Sequence, residues 1–528
     1  MISSDYYLPD WLTRCAQNRP QHLALQYDQL QWSFSELDRQ VTKLARQLAT
    51  LGVQEGNRVA LLACNSLSYV AFVHALTRLG AILVPLNLRL TPQELCWQLR
   101  DVHASLLVCD ADNANLAHDI AQSLPQLPLT TLSTISYKGE SVISEQLEKD
   151  IPLRTLIDLS APQAIMYTSG TTGLPKGAII TYGMQWWNAI GSALNLGHNP
   201  DDHWLACLPL FHIGGLSILM RGVIYGITVT VHKKFDPVRI NQAIFEDKIT
   251  IISVVPIMLQ RMLDTLNPNL NLNLNRRGEV HPRPVTPTYP ATLRCILLGG
   301  GPAPLPLLEA CQLRTIPVVQ TYGLTESCSQ AVTLSPADAM RKIGSAGRPL
   351  TPLQLRIMHD NKPASPAEPG EIFLKGPTIT PGYIDRPETT AQAFQDGWFA
   401  TGDIGYLDND GYLFVLDRRA DLIISGGENI YPAEIESVLQ SHPAVAEAGV
   451  CAQADVQWGQ VPIAYVVLKS GATITAQQLL SHAAQNLARY KQPRAIYFTK
   501  QLPHTSSGKL VRRELPDLPH TLHKGNEA

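Results

Sequence analysis

Between residues 33 and 86 the chain alternates capped helix with buried strand, and that alternation restricts it to an α/β fold. Ser33 and Glu36 stand three apart as a capping box, and Leu37, Val41, Leu44 and Leu48 follow at helical spacing up to a stop at Gly52. Residues 58–63 then read as a buried strand. The pattern repeats from Ser66, with Val70, Val73, Ala75 and Leu76 on a helix that ends at Gly80, and residues 81–86 as the next apolar strand. This is the rhythm of βαβ units.

At 528 residues the chain exceeds what one hydrophobic core serves, so at least two domains are expected. A charged segment at 417–421 leads into Leu422-Ile423-Ile424 and Gly426-Gly427. Domains are therefore placed at 1–416 and 422–528 with a hinge at 417–421. The first is a large α/β domain of several subdomains. The second is a small, mobile α+β domain with a helix at 432–439, strands at 445–452 and 462–468, and a helix near 476–487; the tail from Pro516 is expected to fray. Residues 267–289 interrupt the α/β rhythm with alternating Asn and Leu and a run of prolines, and read as a surface insertion.

A formal net charge of −3 gives no general attraction for nucleic acid or anionic membrane. The nine cysteines are scattered and include no C-x-x-C pair, which argues against a disulfide framework or a zinc site and for a reducing compartment. The N-terminus has no basic region followed by an apolar one, and no apolar run approaches the roughly 20 residues of a membrane helix. A cytoplasmic protein is expected, with small-molecule partners; a homo-oligomer is compatible with the sequence.

The strongest chemical signal is Tyr167-Thr-Ser-Gly-Thr-Thr-Gly-Leu-Pro-Lys176-Gly177. An apolar strand at 164–166 runs into it and a helix from about Tyr182 runs out. Gly170, Gly173 and Gly177 let the backbone approach a ligand, while Thr168, Ser169, Thr171 and Thr172 with main-chain N–H groups can wrap phosphate oxygens and Lys176 adds charge. The spacing is not that of a Walker A loop, because Pro175 and Gly177 flank the lysine.

The loop resembles the signature of the superfamily of acyl- and aryl-CoA synthetases, luciferases and nonribosomal adenylation domains. Further motifs follow in that family's order over nearly the whole chain. The resemblance implies an ATP- and Mg²⁺-dependent ligase that converts a carboxylic acid to its acyl-adenylate and then, with coenzyme A, to a thioester. It implies that Gly299-Gly300-Gly301 contacts adenine and that Tyr322, in Tyr322-Gly323-Leu-Thr325-Glu326, stacks on it. Thr325 would meet phosphate, Glu326 would hold magnesium, and Asp403 in Thr401-Gly-Asp403 would accept the ribose hydroxyls. Arg418 would contact ribose or phosphate. The family often has Asp or Lys two residues after that arginine, and here Ala420 stands there. Gly426-Gly427 resembles the strand that enters the site for thioester formation. Lys509, in Ser-Ser-Gly508-Lys509, resembles the lysine that steadies the carboxylate and α-phosphate during adenylation.

His212, in Pro209-Leu-Phe-His212-Ile-Gly-Gly, resembles the residue that borders and gates the acyl pocket, with Gly300 beside it. The surrounding segments resemble the menaquinone-pathway branch of the family, whose acid is an aromatic dicarboxylate. A second carboxylate needs a cationic or hydroxyl partner away from the reacting end, and Arg221, in an otherwise apolar segment, and Ser329 are the candidates. A structural ion pair is the competing reading of Arg221. A medium-chain or aryl acid ligase of broader specificity is the alternative activity.

Overall fold

The computed structural model describes residues 6–132, 151–169, 175–266, 288–301, 303, 305–339, 341–360, 362–417, 423–469, 471–503, 510 and 512–518. Helix Phe34–Thr50 starts on the expected capping box, and helix Leu67–Leu79 stops where Gly80 takes the left-handed conformation at φ +65°. The strands that follow, Arg58–Leu62 and Ile82–Pro85, pair in parallel.

Two large sheets carry the N-terminal domain. One has the order Pro175–Thr181, Pro162–Ser169, Ile82–Pro85, Arg58–Leu62, Leu106–Cys109, Leu129–Thr131, all parallel except the first pair. The centre of the other runs Val318–Tyr322, Cys295–Leu298, Ile251–Val254, His203–Ala206, Thr228–Val231, Leu23–Tyr27 in parallel. Trp11, Phe34, Phe72, Tyr182 and Trp204 share one apolar core. An antiparallel sheet built on Gln354–His359, Gly370–Lys375, Trp398–Leu407 and Leu413–Asp417 completes the domain.

Beyond residue 422 the chain has its own core of Ile423, Ile435, Leu439, Val450, Val466, Leu479 and Ile496. Helices Pro432–Gln440 and Ala476–Asn486 supply part of it, against a sheet built on the long pair Val445–Asp455 and Gly459–Leu468. The expected strand at Gly426-Gly427 is a hairpin, Ile423–Ser425 with Glu428–Ile430, whose turn holds the two glycines, and the sheet also holds a parallel edge strand that was not anticipated, Ile496–Phe498. Ala488 leaves this core and packs with Leu90 and Ile165 of the N-terminal domain. Leu515 is fully buried, so order persists close to the expected fraying point; residues 519–528 lie outside the described residues.

Two expectations need correction. Lys176 lies on strand Pro175–Thr181, antiparallel to Pro162–Ser169 and opposite Thr168, so a strand precedes the helix at Tyr182. Residues 267–287 are outside the described residues, but Tyr289 is buried in a core and donates to Asn241 Oδ1 at 2.8 Å, so the insertion was drawn too long. None of the nine cysteines is in a disulfide, and burial pushes the thiols of Cys207, Cys295 and Cys328 up to about 12, which leaves them unreactive. Among the described residues no helix is long and apolar enough to cross a membrane.

Candidate active site

Four neighbouring parallel strands, His203–Ala206, Ile251–Val254, Cys295–Leu298 and Val318–Tyr322, end on the same edge of their sheet. The segments leaving those ends carry His212, Val255, Gly299 to Gly301 and Thr325. A crevice outside the carboxyl ends of parallel strands is where open α/β sheets bind ligands.

A cavity of about 340 Å³ is lined by Gly300, Gly301, Tyr322 and Gly323, with Val415, Leu416 and Ile424 opposite. Tyr322 donates its hydroxyl to Asp403 Oδ2 at 2.7 Å, which joins the two residues assigned to adenine and ribose. Thr401 Oγ1 accepts from the Asp403 amide and donates to the Ile372 carbonyl, holding the Thr-Gly-Asp turn. Gly323 has no room for a side chain, since a Cβ there would lie 1.5 Å from the Ser329 carbonyl oxygen.

At the phosphate-loop mouth, Glu326 Oε1 accepts from Tyr383 at 2.9 Å and lies 3.4 Å from Thr168 Oγ1. Lys176 Nζ stands 5.5 Å from the centre of the Tyr383 ring. Thr168 and Lys176, opposite each other on paired strands, thus meet Glu326 from 158 positions beyond Thr168. The oxygen donors there suit Mg²⁺, a hard cation that is held by one or two carboxylates beside phosphate. Gly170, Thr171, Thr172, Gly173, Arg418 and Lys509 lie outside the described residues, as does the Ser169 side chain.

Another cavity, about 190 Å³, is lined by Pro209, His212, Arg221, Gly300, Ser329 and the hairpin tip Gly426 to Asn429 among others. Arg221, on helix Ile213–Tyr225, is 2% exposed. It stacks on Trp204 and donates from Nη2 to Asn188 Oδ1 at 2.6 Å, while its Nε has no partner. Among the described residues no carboxylate pairs with it, and burial pushes its pKa down. Cys328 and Ser329 are consecutive left-handed residues, φ +57° and +83°, a strained backbone of the kind that binding sites hold.

The hairpin tip brings the C-terminal domain into this cavity. Gly426 and Gly427 turn through φ +57° and +87°, and Glu428 follows, 2% exposed. Its Oε2 accepts from Asn87 at 3.1 Å and lies 3.1 Å from His212 Nε2; its Oε1 faces Arg89 at 3.3 Å. Burial alone would raise its pKa, but His212, Arg89 and Asn87 outweigh burial and hold it below the usual carboxylate value. A second interdomain contact is Lys491, which bridges Glu94 and Glu434 at 2.7 Å each. Behind the hairpin lies a larger cavity of about 860 Å³, lined by Arg89, Ser425, Trp458, Arg489, Tyr490 and Arg494. Arg89 borders both cavities.

Sequence reasoning missed Asn87, Arg89, Asn188, Tyr383 and Glu428 as site residues. Glu428 had a signal, since it follows the Gly-Gly pair directly, and Asn87 and Arg89 follow a predicted strand end. Asn188 and Tyr383 had none.

The model of the AMP-binding enzyme family matches residues 12–384, and that of the AMP-binding enzyme C-terminal domain matches residues 434–509. The 2-succinylbenzoate–CoA ligase of Geobacillus sp. (strain WCH70) is 48% identical over 511 residues, 97% of each chain. That of Geobacillus kaustophilus is also 48% identical, over 97% of this chain and 98% of its own. Among solved structures, a double mutant of Bacillus subtilis o-succinylbenzoate CoA synthetase bound to a product analogue superposes with a TM-score of 0.87 at 41% identity, covering 98% of this chain and 99% of that one. The same enzyme with its acyl-adenylate intermediate, at equal identity and coverage, gives 0.71.

Proposed function

The chain belongs to the AMP-binding enzyme family, and on that premise we propose that it is an ATP-dependent ligase joining 2-succinylbenzoate to coenzyme A, with release of pyrophosphate and AMP. The observation that carries the choice of acid is Arg221, a buried guanidinium lining the acyl cavity with no carboxylate partner among the described residues. Leaving such a charge uncompensated is costly, and a substrate carboxylate that supplies the missing charge removes the cost. Ser329 lines the same cavity and offers a hydroxyl. An acid with a single carboxylate would leave the cation unpaired.

Two displacements in one crevice account for the reaction. First the succinyl carboxylate attacks the α-phosphorus of ATP and pyrophosphate leaves. The loop from Thr168 to Lys176 cradles the phosphates, Tyr322 and Asp403 hold the nucleoside, and Lys509 steadies the carboxylate and α-phosphate. Glu326, beside Thr168, would hold Mg²⁺, which would supply neutralisation of phosphate charge. Then the thiol of coenzyme A attacks the acyl carbonyl and AMP leaves. The hairpin Ile423–Ser425 with Glu428–Ile430 forms one wall for this second step. The cavity with Arg89, Arg489 and Arg494 suits the coenzyme's phosphates, since guanidinium groups pair with phosphate in bidentate fashion.

The arrangement of the two domains fits the second step: the Bacillus subtilis enzyme resembles this chain more closely with a product analogue than with the acyl-adenylate. The test is pyrophosphate release over a panel of acids with CoA. 2-Succinylbenzoate should clearly outrank medium-chain and simple aryl acids; equal turnover of those acids would leave a broader carboxylic acid–CoA ligase in its place.

A further inference from the structure

Arg221 does not stand alone. Its Nη2 donates at 2.6 Å to Oδ1 of Asn188, on helix Tyr182–Leu196, and Asn188 is 1% exposed. The other end of the same amide is also occupied: Nδ2 donates to the main-chain carbonyl of Gln330 at 2.7 Å and approaches that of Ser327 at 3.5 Å. Ser327 and Gln330 flank the strained pair Cys328 and Ser329. One buried amide therefore touches both the guanidinium and the turn that presents the Ser329 hydroxyl.

We infer that Asn188 is a positioning residue that sets specificity for the acid: it fixes Arg221 with a neutral oxygen, leaving the positive charge for the substrate's second carboxylate, and it ties Arg221 to the Ser329 turn. This rests on the reading of Arg221 given above. The neutrality of the amide is the decisive property. An aspartate of the same shape would place a carboxylate 2.6 Å from the guanidinium and form a permanent buried pair with it. The substrate carboxylate would then compete with an internal one, and a site built for a dicarboxylic acid would lose its preference. Asparagine also donates to the turn, which aspartate cannot do when ionised.

The experiment compares 2-succinylbenzoate with 3-benzoylpropionate, which lacks the ring carboxylate, by pyrophosphate release in the wild type and in Asn188→Asp, Asn188→Ser and Arg221→Met. The readout is the ratio of kcat/KM for the two acids, with kcat and KM resolved for each. Asn188→Asp should lower that ratio roughly 10–100-fold, mainly through KM for the dicarboxylate, because one charged hydrogen bond to the acid is contested. Asn188→Ser removes more volume but adds no charge, and should lower the ratio less. If serine is the worse of the two, or if Asn188→Asp slows both acids equally, the amide is only a packing element and the inference falls. If the wild type does not prefer the dicarboxylate, or Arg221→Met keeps the preference, the assignment of Arg221 itself falls.

Discussion

Replacing Glu428 with glutamine should separate the two half-reactions. The carboxylate is carried by the C-terminal domain and is buried against Asn87, His212 and Arg89 of the N-terminal domain, so its charge favours only the docked arrangement. His212 and Arg89 are 41% and 44% exposed, and solvent screening makes their share small. Counting one charged hydrogen bond near the low end of its range and a few tenths of a kcal/mol from the screened partners gives about 2 kcal/mol for the docked state. That corresponds to a roughly 30-fold change in its population. In Glu428→Gln, single-turnover thioester formation from supplied acyl-adenylate and CoA should slow by about that factor. Pyrophosphate release without CoA should stay close to the wild-type rate, since it does not need this docking. Equal losses in both half-reactions would refute the reasoning and make Glu428 a general structural residue.

Lys491→Met should leave Glu94 and Glu434 buried without their shared cation, at a cost of about 3–5 kcal/mol, seen as a lower urea midpoint; an unchanged midpoint would mean that water replaces the lysine. His74 gives a pH test. It is fully buried, and burial lowers its pKa to about 4. Between that value and the ordinary one near 6.5, the unfolded chain binds a proton that the folded chain refuses, so stability falls as pH drops through this window. The loss is roughly 3 kcal/mol across the window, and His74→Leu should abolish that share of the acid sensitivity in urea titrations; an unchanged slope with pH would contradict it.

What could be read from the sequence was what is decided locally. The Ser33–Glu36 box and the Gly80 stop involve neighbours three or four residues apart, and both formed. Lys176 was misplaced because its strand is stabilised by pairing with residues 162–169, a partnership that periodicity in residues 175–181 does not reveal. Glu428 meets Asn87 across 341 positions, and Asn188 meets Gln330 across 142, so neither contact leaves a trace in local pattern. Asn188 in particular looks like an ordinary polar residue of a helix. Its importance arises only when a second helix brings Arg221 to its oxygen. Tyr289 was lost to the insertion because proline and asparagine around it outweighed one aromatic ring.

The contact between Gly323 and the Ser329 carbonyl bears on how such an enzyme could be given a new acid. With no space for even a methyl group between them, the turn that lines the cavity with Arg221, proposed for the acid, and the loop that lines the cavity with Tyr322, proposed for the nucleotide, are two sides of one backbone seam. Redesign by lengthening or reshaping residues 327–330 would transmit its distortion to the nucleotide pocket, and ATP use would suffer along with acid choice. A side-chain exchange at Arg221 leaves that seam in place, whereas Asn188 is bonded to it through the Gln330 carbonyl. Acid preference can therefore drift by substitution at Arg221 more freely than by insertion in the turn.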